Sequence, residues 1–262
     1  MQNHEIDYQI YGEEMQYVEV ELDPNETVMA EAGAFMMMED GIQMETIFGD
    51  GSQQQGGLMS KLFSAGKRLL VGESLFMTSY TNVGMGKKRV SFASPYPGKI
   101  IPMNLARLGG KVICQKDAFL CAAKGVAIGI EFQKRLGTGL FGGEGFIMEK
   151  LEGDGMAFVH AGGHVLRREL APGQLLKIDT GCIVAFMSTV QYDIQFVGGI
   201  KNTLFGGEGV FFATLRGPGS VWIQTLPISR LASRILAYSG SKRKEEGSVL
   251  GGLGNLIDGD GF

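Results

Sequence analysis

Leu140-Phe141-Gly142-Gly143-Glu144-Gly145 returns, residue for residue, as Leu204-Phe205-Gly206-Gly207-Glu208-Gly209, 64 positions later. Six identical residues at one spacing mark an internal repeat, and a repeat decides the architecture before any single element does. The glycines read as a tight bend, where Gly supplies positive φ or lets two backbones approach closely. The competing reading is an anion cradle made of backbone N–H groups. It lacks the Lys-Ser/Thr end of a P-loop and the full G-x-G-x-x-G spacing. On the bend reading, Glu144 and Glu208 each accept backbone hydrogen bonds, the partners a half-buried carboxylate needs.

Working outward, a third and looser copy starts at Leu75-Phe76, at an offset of 65 from Leu140-Phe141. Each copy is followed by a Gly-x-Gly turn, at Gly84-Met85-Gly86, Gly153-Asp154-Gly155 and Gly217-Pro218-Gly219. Short strands follow the turns: Val90-Ser91-Phe92, Ala157-Phe158-Val159 and Val221-Trp222-Ile223. Ahead of the motif, Phe35, Phe119 and Ile183 align at offsets of 84 and 64. Phe35 to Phe76 is 41 residues, whereas Phe119 to Phe141 and Ile183 to Phe205 are 22 each, so the first unit carries 19 extra residues at about 48–71. On this alignment Ser79 stands where the other units have Glu144 and Glu208, which excludes a threefold carboxylate site.

The units are made of strands. Tyr17-Val18-Glu19-Val20-Glu21-Leu22 alternates with the period of a half-buried strand, and Asp23-Pro24-Asn25 ends it as a turn. Thr27-Val28-Met29 resumes, and Glu31-Ala32-Gly33-Ala34-Phe35 leads into an apolar run ending at Met38. Short strands with frequent turn signals indicate an all-β fold. The expected architecture is one domain, 1–238, of three antiparallel β-sandwich repeats (about 4–100, 101–165 and 166–228) with pseudo-threefold symmetry. A flexible Gly-rich tail, 239–262, follows it.

Two helices interrupt the pattern. In the insertion, 58–70 places Leu58, Met59, Leu62, Phe63, Leu69 and Leu70 on one side and Lys61, Lys67 and Arg68 on the other. At 228–238, Ile228, Leu231, Ala232, Ile235 and Leu236 share a face, with Pro227 at the start, where a missing N–H costs nothing.

Composition bounds the function. A chain of 262 residues buries about three quarters of its unfolded surface and needs no staples. The 41 glycines against 7 prolines suit tight turns between short strands. A net charge of −4 argues against non-specific nucleic-acid binding. Cys114, Cys121 and Cys182 are odd in number and lie in apolar runs, so they read as reduced core residues. The start, Met-Gln-Asn-His-Glu, has neither the basic nor the apolar region of a secretory signal, and no run is long enough to span a bilayer as a helix. A cytoplasmic protein is expected. His160 and His164 are four apart, but Ala161-Gly162-Gly163 breaks any helix between them and no further ligand is near. No G-x-S-x-G elbow is present, and no catalytic residue, cofactor or metal is expected.

Glu31-Ala32-Gly33-Ala34-Phe35-Met36, Glu73-Ser74-Leu75-Phe76, Gly139 to Gly145, Gln224-Thr225-Leu226-Pro227 and the tail Gly247 to Gly254 together resemble the altered-inheritance-of-mitochondria protein 24 family. The resemblance covers nearly the whole chain. It implies a fold akin to the tryptophan RNA-binding attenuation protein, a homotrimeric ring and no known catalytic residues. Members from mitochondria are linked to inner-membrane organisation, but no Arg-rich transit peptide is seen here. Two functions remain open at this point. One is a non-enzymatic oligomeric scaffold engaging a protein partner or a membrane surface, with the 58–70 face as the contact. The other is a small-molecule-binding protein with pockets between units or subunits.

Overall fold

The computed structural model describes residues 4–48, 76–134, 146–196 and 211–238. The chain begins with β1 (Asp7–Tyr11), β2 (Tyr17–Leu22), β3 (Thr27–Glu31), β4 (Phe35–Met38), β5 (Ile42–Phe48), β6 (Phe76–Asn82) and β7 (Lys88–Ala93). It continues through β8 (Gly98–Asn104), β9 (Lys111–Gln115), β10 (Phe119–Ala123), β11 (Ala127–Lys134), β12 (Phe146–Glu152) and β13 (Met156–Gly162). It ends with β14 (Val165–Leu170), β15 (Leu175–Asp179), β16 (Ile183–Met187), β17 (Gln191–Phe196), β18 (Phe211–Arg216) and β19 (Gly219–Gln224). Helix α1 covers 228–238. The protein is all-β, as its alternating sequence predicts.

Local chemistry explains the elements. In β2, Val18, Val20 and Leu22 are fully buried, while Glu19 and Glu21 face outward toward Arg89 and Lys87. Burying each such aliphatic side chain stabilises the fold by about 1.5–3 kcal/mol. The exposed ion pairs add little, because solvent screens them. At the turn Asn25 takes φ 71°, and the Asp23 N–H donates to the Glu26 carboxylate at 2.8 Å. Asn is among the few non-glycine residues that accept that conformation.

Among the described residues four antiparallel sheets result, with strand orders β1-β2-β7-β4, β5-β6-β3-β10-β13-β8, β11-β12-β9-β16-β19-β14 and β15-β18-β17. The order β5-β6-β3 recurs as β11-β12-β9 and as β17-β18-β15. The order β2-β7-β4 recurs as β8-β13-β10 and as β14-β19-β16. A register shift falls at the same step each time, between Phe35 and Met37, Phe119 and Cys121, and Ile183 and Ala185. Three apolar cores lie between successive sheets. Val18, Phe92, Leu120 and Phe158 belong to the first, Met103, Val112, Leu151 and Trp222 to the second, and Met148, Ile183, Phe186 and Leu215 to the third.

Strand pairing corrects the alignment of the first copy. Met77 lies opposite Glu31, Met148 opposite Gln115, and Phe212 opposite Asp179. Met77 therefore corresponds to Met148, an offset of 71 and six residues away from the match of Phe76 with Phe141. Phe35 to Met77 is 42 residues, against 29 for Phe119 to Met148 and for Ile183 to Phe212, so the first segment is longer by 13 residues and not 19. Leu-Phe pairs recur in apolar strands, whereas register is fixed by the pleat and its neighbours. Ser79 becomes the counterpart of Lys150, and Glu73 stands four residues before Met77, as Glu144 does before Met148 and Glu208 before Phe212. The sequence argument against a threefold carboxylate therefore falls. All three glutamates lie outside the described residues.

Other expectations lie there too: the bends Gly142-Gly143-Glu144-Gly145 and Gly206-Gly207-Glu208-Gly209, and the face of Leu58, Met59, Leu62, Phe63, Lys67, Arg68, Leu69 and Leu70. So does the tail. Helix α1 forms where periodicity placed it, but its shared apolar face is only half used. Pro227 is buried and Arg230 reaches Asp179 at 3.2 Å, yet Ile235 and Leu236 remain 60% and 69% exposed.

Candidate functional site

Two features stand out from the bland packing of the sheets: a buried polar centre and an exposed apolar edge. Glu149 projects from β12 and is almost fully buried, with Oε2 lacking a hydrogen-bond partner. Burial, and then the charge of Glu31, pushes its pKa up to about 8. Glu31, at the end of β3, is raised to about 7 by burial and then by Asp117, while Lys116 opposes both shifts. His160 on β13 is buried against Tyr96, ring centroids 4.4 Å apart, and burial lowers its pKa to about 4. It is a neutral imidazole at physiological pH.

These groups give stability a pH dependence with a calculable sign. The two carboxyls hold their protons more tightly when folded. Their contribution is complete below the ordinary value of 4.5 and is lost as pH rises through about 7 and 8. His160 holds its proton less tightly when folded. Its contribution is complete above 6.5 and is lost as pH falls toward 4. Between about pH 4.5 and 6.5 the two carboxyl losses outweigh the one histidine gain, so the three groups together favour the folded state most near about pH 4–4.5 and less as pH rises toward 8. Glu149→Gln should raise stability at pH 8.5 by on the order of 2 kcal/mol and change it little at pH 5. Urea denaturation at the two pH values checks this, and an equal effect at both would refute the assignment.

Beside this centre the chain is tightly pinned. The Gln224 side-chain oxygen accepts from the Gly162 N–H at 2.8 Å, and its amide nitrogen donates to the Gly181 carbonyl at 2.8 Å. The Leu226 N–H donates back to the Gly162 carbonyl at 3.1 Å. A cleft bordered by Tyr96, Gln115, Asp117, Gln224 and Ile228 has room for about one water molecule. That is far below the size of a small-molecule pocket.

The second feature is β4. Phe35, Met36, Met37 and Met38 are each 41–47% exposed, on a strand that ends its sheet. The strands at the same place in the other orders, β10 and β16, are buried almost throughout. An apolar strand with a free edge is a template for further pairing.

The structure separates the sequence candidates for chemistry. His160 is buried and His164 exposed, so they do not form a ligand pair. Cys114, Cys121 and Cys182 are free thiols, and burial raises the pKa of all three. Among the described residues no cluster of His, Cys, Asp or Glu is arranged to hold a metal ion. Neither the burial of Glu149 nor the exposure of Phe35–Met38 is among the expectations drawn from the sequence. A charged residue in the apolar strand Phe146-Ile147-Met148-Glu149 was the available signal for the first.

Comparison with known proteins gives the chain its relatives. The family model described as Mitochondrial biogenesis AIM24 matches residues 8–226. The chain belongs to the AIM24 family. An uncharacterised protein of Streptococcus pyogenes serotype M6 is 30% identical over 224 residues, covering 84% of this chain and 86% of that protein. An X-ray crystal structure of a protein from Streptococcus pyogenes is similar to this AIM24 fold with a TM-score of 0.68 and 23% identity, covering 89% of this chain and 99% of that one. At that identity the likeness speaks for the fold alone. Among the described residues of this AIM24 member, no helix is long and apolar enough to cross a membrane.

Proposed function

We propose that this AIM24-family chain is a non-enzymatic oligomeric β scaffold. It is built from three copies of one antiparallel β-sandwich unit of the attenuation-protein type, about 4–100, 101–165 and 166–228. It assembles as a homotrimer in the cytoplasm and presents its outer surface to a protein partner or a membrane surface. The recurring strand orders and the recurring bulge support the repeat. The observation that carries the assembly reading is β4, an apolar strand left exposed at a sheet edge.

The described residues also support a non-catalytic role. The one buried histidine has no nucleophile hydrogen-bonded to it, and the thiols are held in their protonated form. Helix α1 offers Ile235, Leu236 and Tyr238 as exposed surface for a partner. The competing reading, a small-molecule binder with pockets between units or subunits, draws no support from the Tyr96 cleft, which has room for about one water molecule. Light scattering behind a sizing column should give three times the 28.2 kDa chain mass at about 10 μM. A single chain mass at ~100 μM would end the scaffold reading.

A further inference from the structure

We propose that β15 of one chain pairs antiparallel with β4 of a second copy of this chain, Met38 opposite Lys177 and Met37 opposite Ile178. The proposal rests on the three-unit scaffold reading and names its interface.

Two joints of this kind already exist inside the chain. β10 lies on β3 with Ala122 opposite Met29 and Cys121 opposite Ala30. β16 lies on β9 with Phe186 opposite Ile113 and Ala185 opposite Cys114. By the recurring strand order, β15 is the counterpart of β3 and β9, and β4 is the counterpart of β10 and β16. Yet among the described residues β15 ends the three-stranded sheet and β4 ends the four-stranded one, and they do not pair with each other. Burial follows the joints: β3, β9, β10 and β16 are almost wholly buried, whereas β4 is exposed throughout and β15 buries only Ile178. A second copy is the occupant because each edge's complement is carried by the chain itself, at its other end.

Hydrogen-bond direction supplies the register. The Glu39 N–H donates to the Arg89 carbonyl, across β7. Alternation along the strand then turns the Met38 N–H toward the open edge. On β15 the Gln174 carbonyl accepts from the Gly217 N–H beside β18. The same alternation turns the Lys177 amide toward the open edge. Met38 and Lys177 therefore form a hydrogen-bonded pair, and Met37 with Ile178 a non-hydrogen-bonded one, with Cα atoms about 4.5 Å apart. The contact is head-to-tail, so it closes a ring or continues as a filament.

The test is a chain carrying Met37→Cys and Ile178→Cys, with Cys182→Ser to remove the half-exposed native thiol. The non-hydrogen-bonded spacing suits a disulfide. Ala185→Cys, opposite native Cys114, is the internal control and should close within one chain. After mild oxidation, denaturing gels should show covalent dimers and trimers, absent when either new cysteine stands alone. A product that remains one chain long overturns the proposal, because the edges then close internally. So does the absence of cross-linking when the wild-type protein still has an oligomeric mass, an outcome that leaves the scaffold reading standing. A wild-type mass of one chain removes both.

Discussion

Phe158→Ala should lower the free energy of unfolding by about 3–5 kcal/mol, among the largest losses any single truncation here can give. Phe158 is fully buried in the core between the first two sheets. Its ring meets the edge of Tyr8 at 4.8 Å, so the loss includes an aromatic contact as well as a cavity. Phe35→Ala is the instructive contrast. Phe35 stacks on Tyr80 at 5.5 Å but is 41% exposed, so within a single chain its truncation should cost about 1 kcal/mol. Urea midpoints of the two variants check the pair, and equal losses would mean that β4 is covered, by its own chain or by a neighbouring copy.

Gly162→Val should be the second severe change, at about 3 kcal/mol or more. A Cβ on Gly162 would overlap the Leu226 carbonyl oxygen and come within 2.8 Å of the Tyr96 ring. Neither neighbour yields cheaply. Leu226 is tied back to Gly162 by its own N–H, and Gln224 holds the Gly162 N–H from the other side. Gly173→Val provides the comparison, because nothing lies within 4 Å of the Cβ position there and only its φ of 77° is strained. Thermal unfolding should place Gly162→Val well below Gly173→Val. The reverse order would contradict the close approach.

Much of this architecture was legible in the sequence, for definite reasons. The alternation in Tyr17–Leu22 is a pleat written in residues, and it became β2 with its apolar half buried. Phe35, Phe119 and Ile183 each begin a strand at the register shift, opposite Phe92, Val159 and Ile223, so the sequence match among them coincides with a feature of strand pairing. The Phe76 match failed because an insertion precedes it and Leu-Phe is too common a pair to anchor a register. Helix α1 was visible from its period, but period alone cannot say whether a partner surface lies beneath Ile235 and Leu236. The half-buried carboxyl of Glu31 and the buried one of Glu149 were hidden for a different reason. A charged residue in a strand reads as solvent-facing until the third dimension places another sheet over it.

Among the described residues β4 pairs on one side only, with β7, and its four apolar residues stay exposed, which is the observation that calls for an assembly. Met38→Pro removes the one edge N–H assigned to the neighbouring chain while leaving the Glu39 bond to Arg89 intact. The direct measurement is the solution mass of this variant beside the wild type, with circular dichroism to confirm the strands. The account predicts a trimeric mass for the wild type and a single 28.2 kDa chain with unchanged strand content for Met38→Pro. A variant that keeps the wild-type mass would contradict it.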